Sequence, residues 1–373
     1  MKEHRKYAGI CLASLVLLLA WLPLHGQAEP EKPERPKNVI LMIGDGMGLS
    51  QLSSAYYFMD EKDADREPAF SRFRYIGLSR TSSGRDVVTQ SSAAATALAT
   101  GHKTYNEAIG VGLDTLVLEN ITELLSKSGY MTGVIATSSI TDATPAGFYA
   151  HQPDRYMQHE IAWDLLRSEI DFFAGGGINY FRDSTGYYPF EEYKIRINFG
   201  RLKKIRRPEA GIRYGFLLGL ERMPKMQEGR EDFLARSSSI AIDFLSTGEA
   251  GYFLMLESSQ IDWAGHTNDV EYMKTEISDF ERTIDGILDY AEKDGETLVI
   301  VTADHETGGF TLGAAGDNYN GADYSVIEPT FASSNHSAAL VPVFAYGPGA
   351  ENFIGVYENT EIFHKLVVLI ESE

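Results

Sequence analysis

The chain has 373 residues, with 53 acidic against 33 basic side chains and a formal charge of −20 at pH 7. So acidic a surface repels nucleic-acid backbones, and no nucleic-acid-binding surface is expected. The single cysteine, Cys11, rules out a disulfide framework and a thiolate metal site, so stability has to come from the core that a chain of this length can bury.

The N-terminus opens MKEHRK, basic on balance, and continues into the apolar YAGICLASLVLLLAWLPL and the small-residue site Gly26-Gln27-Ala28. That order predicts a cleaved signal peptide over 1–28. A membrane anchor fits less well, because the apolar run is short and gives way to the polar, Pro/Glu-rich linker 29–37. Cleavage removes Lys2, Glu3, Arg5 and Lys6, a net +2, and takes −20 to −22. With no later run long enough to span a bilayer, the mature product is expected to be exported, periplasmic or secreted, and free of the membrane.

From residue 38 onward, apolar β-branched runs recur: NVILMI (38–43), TGVIAT (132–137), IDFFAG (170–175), YFLMLE (252–257), TLVIVTA (297–303) and LVPVFAY (340–346). Continuous runs of this kind suit strands buried on both faces. Helical patterns lie between them, ENITELLSKSG at 119–129 and VEYMKTEISDFERTIDGILDYAEKDG at 270–295, the latter ending on glycine. The alternation predicts an α/β fold: a doubly wound, mostly parallel central sheet with helices on both faces, in a single catalytic domain over 38–373. Residues 182–235 break the alternation and read as a rim insertion without an assigned role. Within them the basic KIRINFGRLKKIRR (194–207) reads as a solvated face rather than a binding patch.

Ligands of open α/β sheets collect beyond the carboxyl ends of the strands. Five such ends carry Asp45, Asp142 with Thr144, Glu257 with Asp262 and His266, Asp304 with His305, and His336. Each residue alone has an ordinary structural reading as a turn former, loop punctuation or a hydrogen-bonded surface imidazole. Together they crowd carboxylates that would raise one another's pKa without cations. Imidazoles with carboxylates and no sulfur suit zinc; an oxygen set that includes threonine suits magnesium. The stretch VVTQSSAAATALATGHKT (87–104) adds two hydroxyls, Ser91 and Ser92, at a predicted helix start where an anion is welcome, followed by side chains small enough for close packing. The plain alternative is that one serine is only an N-cap.

VILMIGDGMG, TQSSAAATALATGHKTYN, TDATPAGFYAH, ESSQIDWAGH, VTADHETGG and SSNHSA, in this order along most of the mature chain, resemble the alkaline phosphatases. The resemblance implies phosphomonoester hydrolysis with Ser91 as nucleophile, through a covalent phosphoserine, and Arg155 gripping the phosphoryl group. It implies two Zn2+ and one Mg2+: one zinc on Asp262, His266 and His336, the other on Asp45, Asp304 and His305, and magnesium on Asp45, Thr144 and Glu257. It also implies small phosphate monoesters as substrates, inorganic phosphate as a product inhibitor, and a homodimer.

Three departures bear on the site. Gln90 stands where the family commonly has aspartate; an amide can hydrogen-bond Arg155 but brings no charge, so a more mobile Arg155 and weaker phosphate binding are expected. Trp263 and Asp142 are expected to support the third metal site from behind its ligands. Finally, only GAAGDNYNGADYSVIEPTFASS (313–334) separates the Asp304-His305 strand region from His336, which predicts an open site tolerant of many alcohols. His102, His151, His159 and His364, like His4 and His25, lack carboxylate partners at a strand end and are given no catalytic role. The rival readings are a phosphodiesterase on the same metal framework and an exported metal- or phosphate-binding protein without turnover. Arg155 argues against the first, and the filled nucleophile and ligand positions against the second. A sulfatase would need Cys or Ser followed by Pro and Arg, which SSAAAT lacks.

Overall fold

The computed structural model describes residues 35–58, 66–316 and 321–371. The predicted signal peptide and residues 29–34 of the linker lie outside them. The described residues belong to one compact unit.

The chain order of strands begins β1 (Asn38–Gly44), β2 (Tyr75–Arg80), β3 (Met131–Ser139), β4 (Phe172–Gly176), β5 (Ile195–Asn198), β6 (Arg213–Leu217), β7 (Tyr252–Ser258) and β8 (Thr297–Thr302). The excursion β9 (Glu306–Thr307), β10 (Phe310–Ala315), β11 (Asp323–Phe331) and β12 (His336–Ser337) follows, before β13 (Val341–Tyr346) and β14 (Gly355–Glu358). Ten of these strands form the main sheet in the order β14-β2-β13-β8-β1-β7-β3-β4-β6-β5. Its pairs are parallel except where β13 runs against β2 and β8. The helices are α1 (Leu49–Tyr57), α2 (Ser91–Thr100), α3 (Ile121–Lys127), α4 (Ala143–Ala146), α5 (Gln158–Arg167), α6 (Phe233–Leu245), α7 (Gln260–Thr267), α8 (Val270–Asp294) and α9 (Thr360–Glu371).

The apolar runs are continuous because the sheet is covered twice. In β1, Ile40 and Met42 face a core shared with Leu234 of α6 and Ile277, Phe280 and Ile284 of α8. Val39, Leu41 and Ile43 face the other core, with Leu98 of α2, Leu125 of α3, Ile161 of α5 and Leu366 of α9. Burying each such side chain contributes about 1.5–3 kcal/mol. Asn120 caps α3 in a reciprocal capping box with Glu123, and α8 runs from an Asp269 cap to left-handed Gly295.

Register fixes where the site forms. β1 pairs with β7 up to Gly44↔Ser258 and with β8 up to Ile43↔Thr302, so the three central strands end level. Residues 182–235 supply β5 and β6 at one sheet edge and lead into α6. Arg196 there pairs with Glu209 and Lys204 with Asp243. The 313–334 stretch is largely an antiparallel hairpin of β10 and β11, with residues 317–320 outside the described chain.

Candidate active site

Asp45 leaves β1 and is followed by Gly46 at φ +73°. A Cβ on Gly46 would lie 2.8 Å from Asp262 Cα, so glycine is what lets the two carboxylate-bearing segments approach. Asp262 and His266 sit one turn apart on α7, Glu257 lies in β7, Asp304 and His305 follow β8, Thr144 lies in α4, and His336 opens β12. The pairs His336↔Thr307 and Ser337↔Glu306 fasten β12 to β9 and so bring His336 beside the end of β8.

Their donor atoms converge. Asp262 Oδ2 is 3.3 Å from His266 Nε2, Asp262 Oδ1 is 3.5 Å from His336 Nε2, and the two Nε2 atoms are 3.1 Å apart. His266 Nδ1 donates to the Ser334 carbonyl at 2.7 Å and His336 Nδ1 to the Thr89 carbonyl at 2.9 Å. A carbonyl oxygen only accepts, so Nδ1 carries the proton in each ring, and in the neutral rings two Nε2 lone pairs face one another. Such lone pairs repel unless they share a cation, and an imidazole tethered through Nδ1 to a carbonyl is poised as a metal ligand.

Asp262, His266 and His336 form one trio, and Asp45, Asp262 and His305 a second; within each trio the ligand atoms lie within 4.8 Å of one another. His305 Nε2 is 3.5 Å from Asp45 Oδ1 and 3.2 Å from Asp304 Oδ2, and both of these buried oxygens lack a hydrogen-bond partner. Unpartnered buried carboxylate oxygens are costly, and a divalent cation satisfies them. The donor set therefore fits metal. Asp262 belongs to both trios, and Asp304 brings its Oδ2 to 3.2 Å from His305 Nε2 beside the second. Asp304 turns Oδ1 away, to Gly46 N at 3.1 Å and His305 N at 2.9 Å. Thr144 Oγ1 donates to Asp45 Oδ2 at 3.3 Å, and Glu257 Oε2 accepts from Ser259 Oγ at 2.5 Å.

The electrostatics follow from crowding. Burial, then the charges of Asp304, Asp262 and Glu257, push Asp45 well above the ordinary carboxylate range. Burial raises Glu257 to about 8 and, with Asp262, Asp304 to about 6. Asp262 is also buried, yet hydrogen bonds from His266 and His336 hold it below its usual value. The Asp262 contact raises His266 to about 9, whereas burial and the neighbouring His336 push His305 well down.

Ser91 is the first residue of α2, with Gln90 as the N-cap, so neither serine is the cap. Ser91 Oγ lies 3.2 Å from His305 Nε2. Ser92 is fully buried. A cavity of about 470 Å³ opens over Ser91, lined by Gln90, Arg155, Trp263, His266 and His336 among others. Arg222 lies over the Trp263 ring at 5.2 Å. Gln90 makes no side-chain hydrogen bond to Arg155. Its Oε1 has no partner, and Arg155 is anchored by a charge after all, Nη2 to Asp142 Oδ1 at 3.0 Å. Asp142 reaches Arg155 because it caps α4 at the head of the Thr144 turn. Burial opposes the Arg155 charge, but Asp142 and Asp45 raise its pKa.

Sequence reasoning missed several supporting residues. Thr307 Oγ1 donates to Asp262 Oδ1 at 2.5 Å. Glu306 binds Gln51 Nε2 at 2.7 Å and the Ser337 hydroxyl, bracing β9 against β12. Asn106 accepts from Gln90 N at 2.8 Å. The only signal was their presence within or beside the motifs that carry the ligands. His102, His151 and His159 each bond a backbone carbonyl, and His364 packs against Phe363.

The alkaline phosphatase family model matches residues 36–193, 215–328 and 326–371. The chain belongs to the alkaline phosphatase family. Alkaline phosphatase 4 of Bacillus subtilis (strain 168) is 31% identical over 404 aligned positions, covering 87% of each chain. The solved alkaline phosphatase of the Antarctic bacterium TAB5 superposes with a TM-score of 0.86 at 48% identity, over 91% of this chain and 99% of that one. A cold-active alkaline phosphatase from the psychrophile Shewanella sp. gives 0.80 at 28% identity, over 90% and 100%. This alkaline phosphatase is accordingly a metal-dependent hydrolase of phosphate monoesters.

Proposed function

We propose that hydrolysis proceeds through a phosphoserine on Ser91, with two Zn2+ and one Mg2+ bound. Zinc would be held by Asp262, His266 and His336 and by Asp45, Asp304 and His305; magnesium by Asp45, Thr144 and Glu257. A variant of the TAB5 enzyme carries Mg in its M3 site, which supports magnesium as one of the ions here. Bound divalent cations supply Lewis acidity, lowering the pKa of an attached hydroxyl and offsetting charge on phosphoryl oxygens.

The chain's own residues do the positioning. Ser91 Oγ bonds to phosphorus as the alcohol oxygen departs on the opposite side and takes up a proton, and water later cleaves the seryl ester to release inorganic phosphate. Arg155 spans two phosphoryl oxygens with its planar fork and lies directed by Asp142. Asp262 is kept in place by the Thr307 hydroxyl, and His266 and His336 by their carbonyl tethers. The observation that carries the choice of nucleophile is Ser91 Oγ at 3.2 Å from His305, in a residue that lines the cavity, with the Ser92 hydroxyl fully buried.

The same reading includes export after removal of residues 1–28, a linker over 29–37, one catalytic domain over 38–373, a homodimer and inhibition by inorganic phosphate. No helix among the described residues is long and apolar enough to cross a membrane. The test is hydrolysis of a chromogenic aryl phosphate at alkaline pH by wild type and Ser91→Ala, before and after chelation and return of zinc and magnesium. Metal-dependent turnover that falls by orders of magnitude in Ser91→Ala is expected; a Ser91→Ala enzyme as active as wild type would refute the phosphoserine on Ser91.

A further inference from the structure

Residues 81–90 connect β2 to α2 without helix or strand, so the backbone that presents Ser91 takes its hydrogen bonds from elsewhere. One side chain supplies several of them. Asn106 Oδ1 accepts from Gln90 N at 2.8 Å, while Nδ2 donates to the Val88 carbonyl at 3.2 Å and to Asp86 Oδ2 at 3.1 Å. An N–H only donates and a carbonyl or carboxylate only accepts, so the three partners fix which end of the amide is which. Reversing the amide would break all three bonds at once. Gln90, whose N–H is held in this way, is the N-cap residue of the helix that begins with Ser91. Asn106 also borders the cavity over Ser91, but its amide is engaged by the segment.

The clamped segment reaches the metal side of the site as well. The Thr89 carbonyl, between two of the clamped residues, accepts from His336 Nδ1 at 2.9 Å. The His336 ring stacks on His305 with centroids 3.6 Å apart, and His305 Nε2 lies 3.2 Å from Ser91 Oγ. One amide thus stands behind both the nucleophile candidate and a metal-ligand candidate. The grip on phosphate is anchored separately. Glu107, at φ +78°, offers its carbonyl to Arg155 N at 2.8 Å, through backbone atoms that a change of the Asn106 side chain leaves in place, and Asp142 holds Arg155 Nη2.

We propose that Asn106 is a positioning residue for the hydrolysis, its amide clamping residues 86–90 so that Ser91 and His336 meet one phosphoryl group in register. This rests on the phosphoserine reading and adds to it a residue that acts through the nucleophile and a metal ligand. The experiment compares wild-type, Asn106→Ala and Asn106→Asp holoenzymes, and the exchange of Asn106→Asp with Asp86→Asn, on an aryl phosphate with excess zinc and magnesium. A misplacement of about 1 Å can cost about 100-fold, so Asn106→Ala should lower kcat by about tenfold or more, with KM and the inhibition constant of inorganic phosphate unchanged. Asn106→Asp keeps the acceptor for Gln90 N but sets a carboxylate against Asp86, and should be slow too. The exchange puts a donor back opposite an acceptor and should recover part of the loss. Zinc affinity of the metal-free Asn106→Ala protein, read by chelator competition, should weaken by up to about tenfold, the range that one hydrogen bond behind His336 allows. If Asn106→Ala melts far below wild type, Asn106→Asp, which keeps the Gln90 bond, carries the comparison. An Asn106→Ala holoenzyme with wild-type kcat overturns the positioning role. So does a fall in kcat matched by an equal loss of phosphate affinity, which marks a general loosening of the site, or an exchange pair no faster than Asn106→Asp. A Ser91→Ala enzyme as active as wild type overturns the phosphoserine reading instead, and this one with it.

Discussion

The guanidinium of Arg155 is held through Nη2 to Asp142 Oδ1 at 3.0 Å, in a place where burial works against its charge. Replacing Asp142 by Asn keeps the side-chain volume and removes the charge, and a hydrogen bond to a charged group contributes about 1.5–3 kcal/mol. Asp142→Asn should therefore raise KM for an aryl phosphate and the inhibition constant of inorganic phosphate together, by about tenfold or more, with a smaller change in kcat. Steady-state kinetics with added phosphate checks this; an unchanged phosphate inhibition constant would place the anchor elsewhere. Thr307→Val deletes the hydroxyl at 2.5 Å from Asp262 Oδ1 and nearly preserves shape. Loss of a partner behind a metal ligand typically costs about 10–100-fold in metal affinity, so Thr307→Val should release zinc to a competing chelator at correspondingly lower chelator concentration. The ligand candidates were legible because each lies at or near the end of an apolar strand run, after it for most and just before it for His336. Thr307 and Asn106 were not, since they act by hydrogen bonds to other residues and have no spacing of their own. Gln90 shows the limit of reading by position: its neighbours in sequence could not reveal that Asp142, on another turn, is the carboxylate that pairs with Arg155.

At the scale of elements, α2 explains why small side chains surround the two serines. Every residue from Ser91 to Thr100 is buried, and a Cβ on Gly147, just past α4, would come within 2.9 Å of Ala95 Cβ. The helix that begins with Ser91 thus lies in close contact with the turn that carries Thr144. Ala95→Leu should destabilise the protein by about 1–3 kcal/mol, the usual cost of overpacking, and lower kcat as α2 and α4 move apart. A thermal melt beside an activity assay would show both, and a variant with native melting and full activity would contradict the packing argument. The six apolar runs announced β1, β3, β4, β7, β8 and β13 because each is buried on both faces. Of the main-sheet strands, β2, β5, β6 and β14 were missed: they lie at or next to the sheet edges and carry no continuous apolar run. The reversed direction of β13 was also illegible, since a buried run reads the same in either orientation.

For the molecule as a whole, the site is a reservoir of groups whose titration is linked both to folding and to metal. In the metal-free protein Glu257 titrates near 8 in place of its usual 4.5, and His266 near 9 in place of 6.5. Both folded values are raised, so the stability each contributes is complete below the unfolded value and is lost as pH climbs through the folded one. Asp45 is raised and acts in the same direction. His305, held low, has the opposite sign: its penalty is the proton it cannot accept, and that is felt only below about 6.5. Asp262, also held low, matters only in acid. Between pH 7 and 9 the raised groups therefore dominate this site's contribution, and the melting temperature of the metal-free protein should fall across that window. Bound divalent cations require the deprotonated ligands that folding alone disfavours. The gain in melting temperature on adding zinc and magnesium should accordingly be larger at pH 9 than at pH 7, growing with free metal as RT ln(1 + [L]/Kd). Calorimetric melts of chelated and reloaded protein at the two pH values decide it. A metal-induced gain that is the same at both would mean that these carboxylates and imidazoles are not the groups that bind the ions.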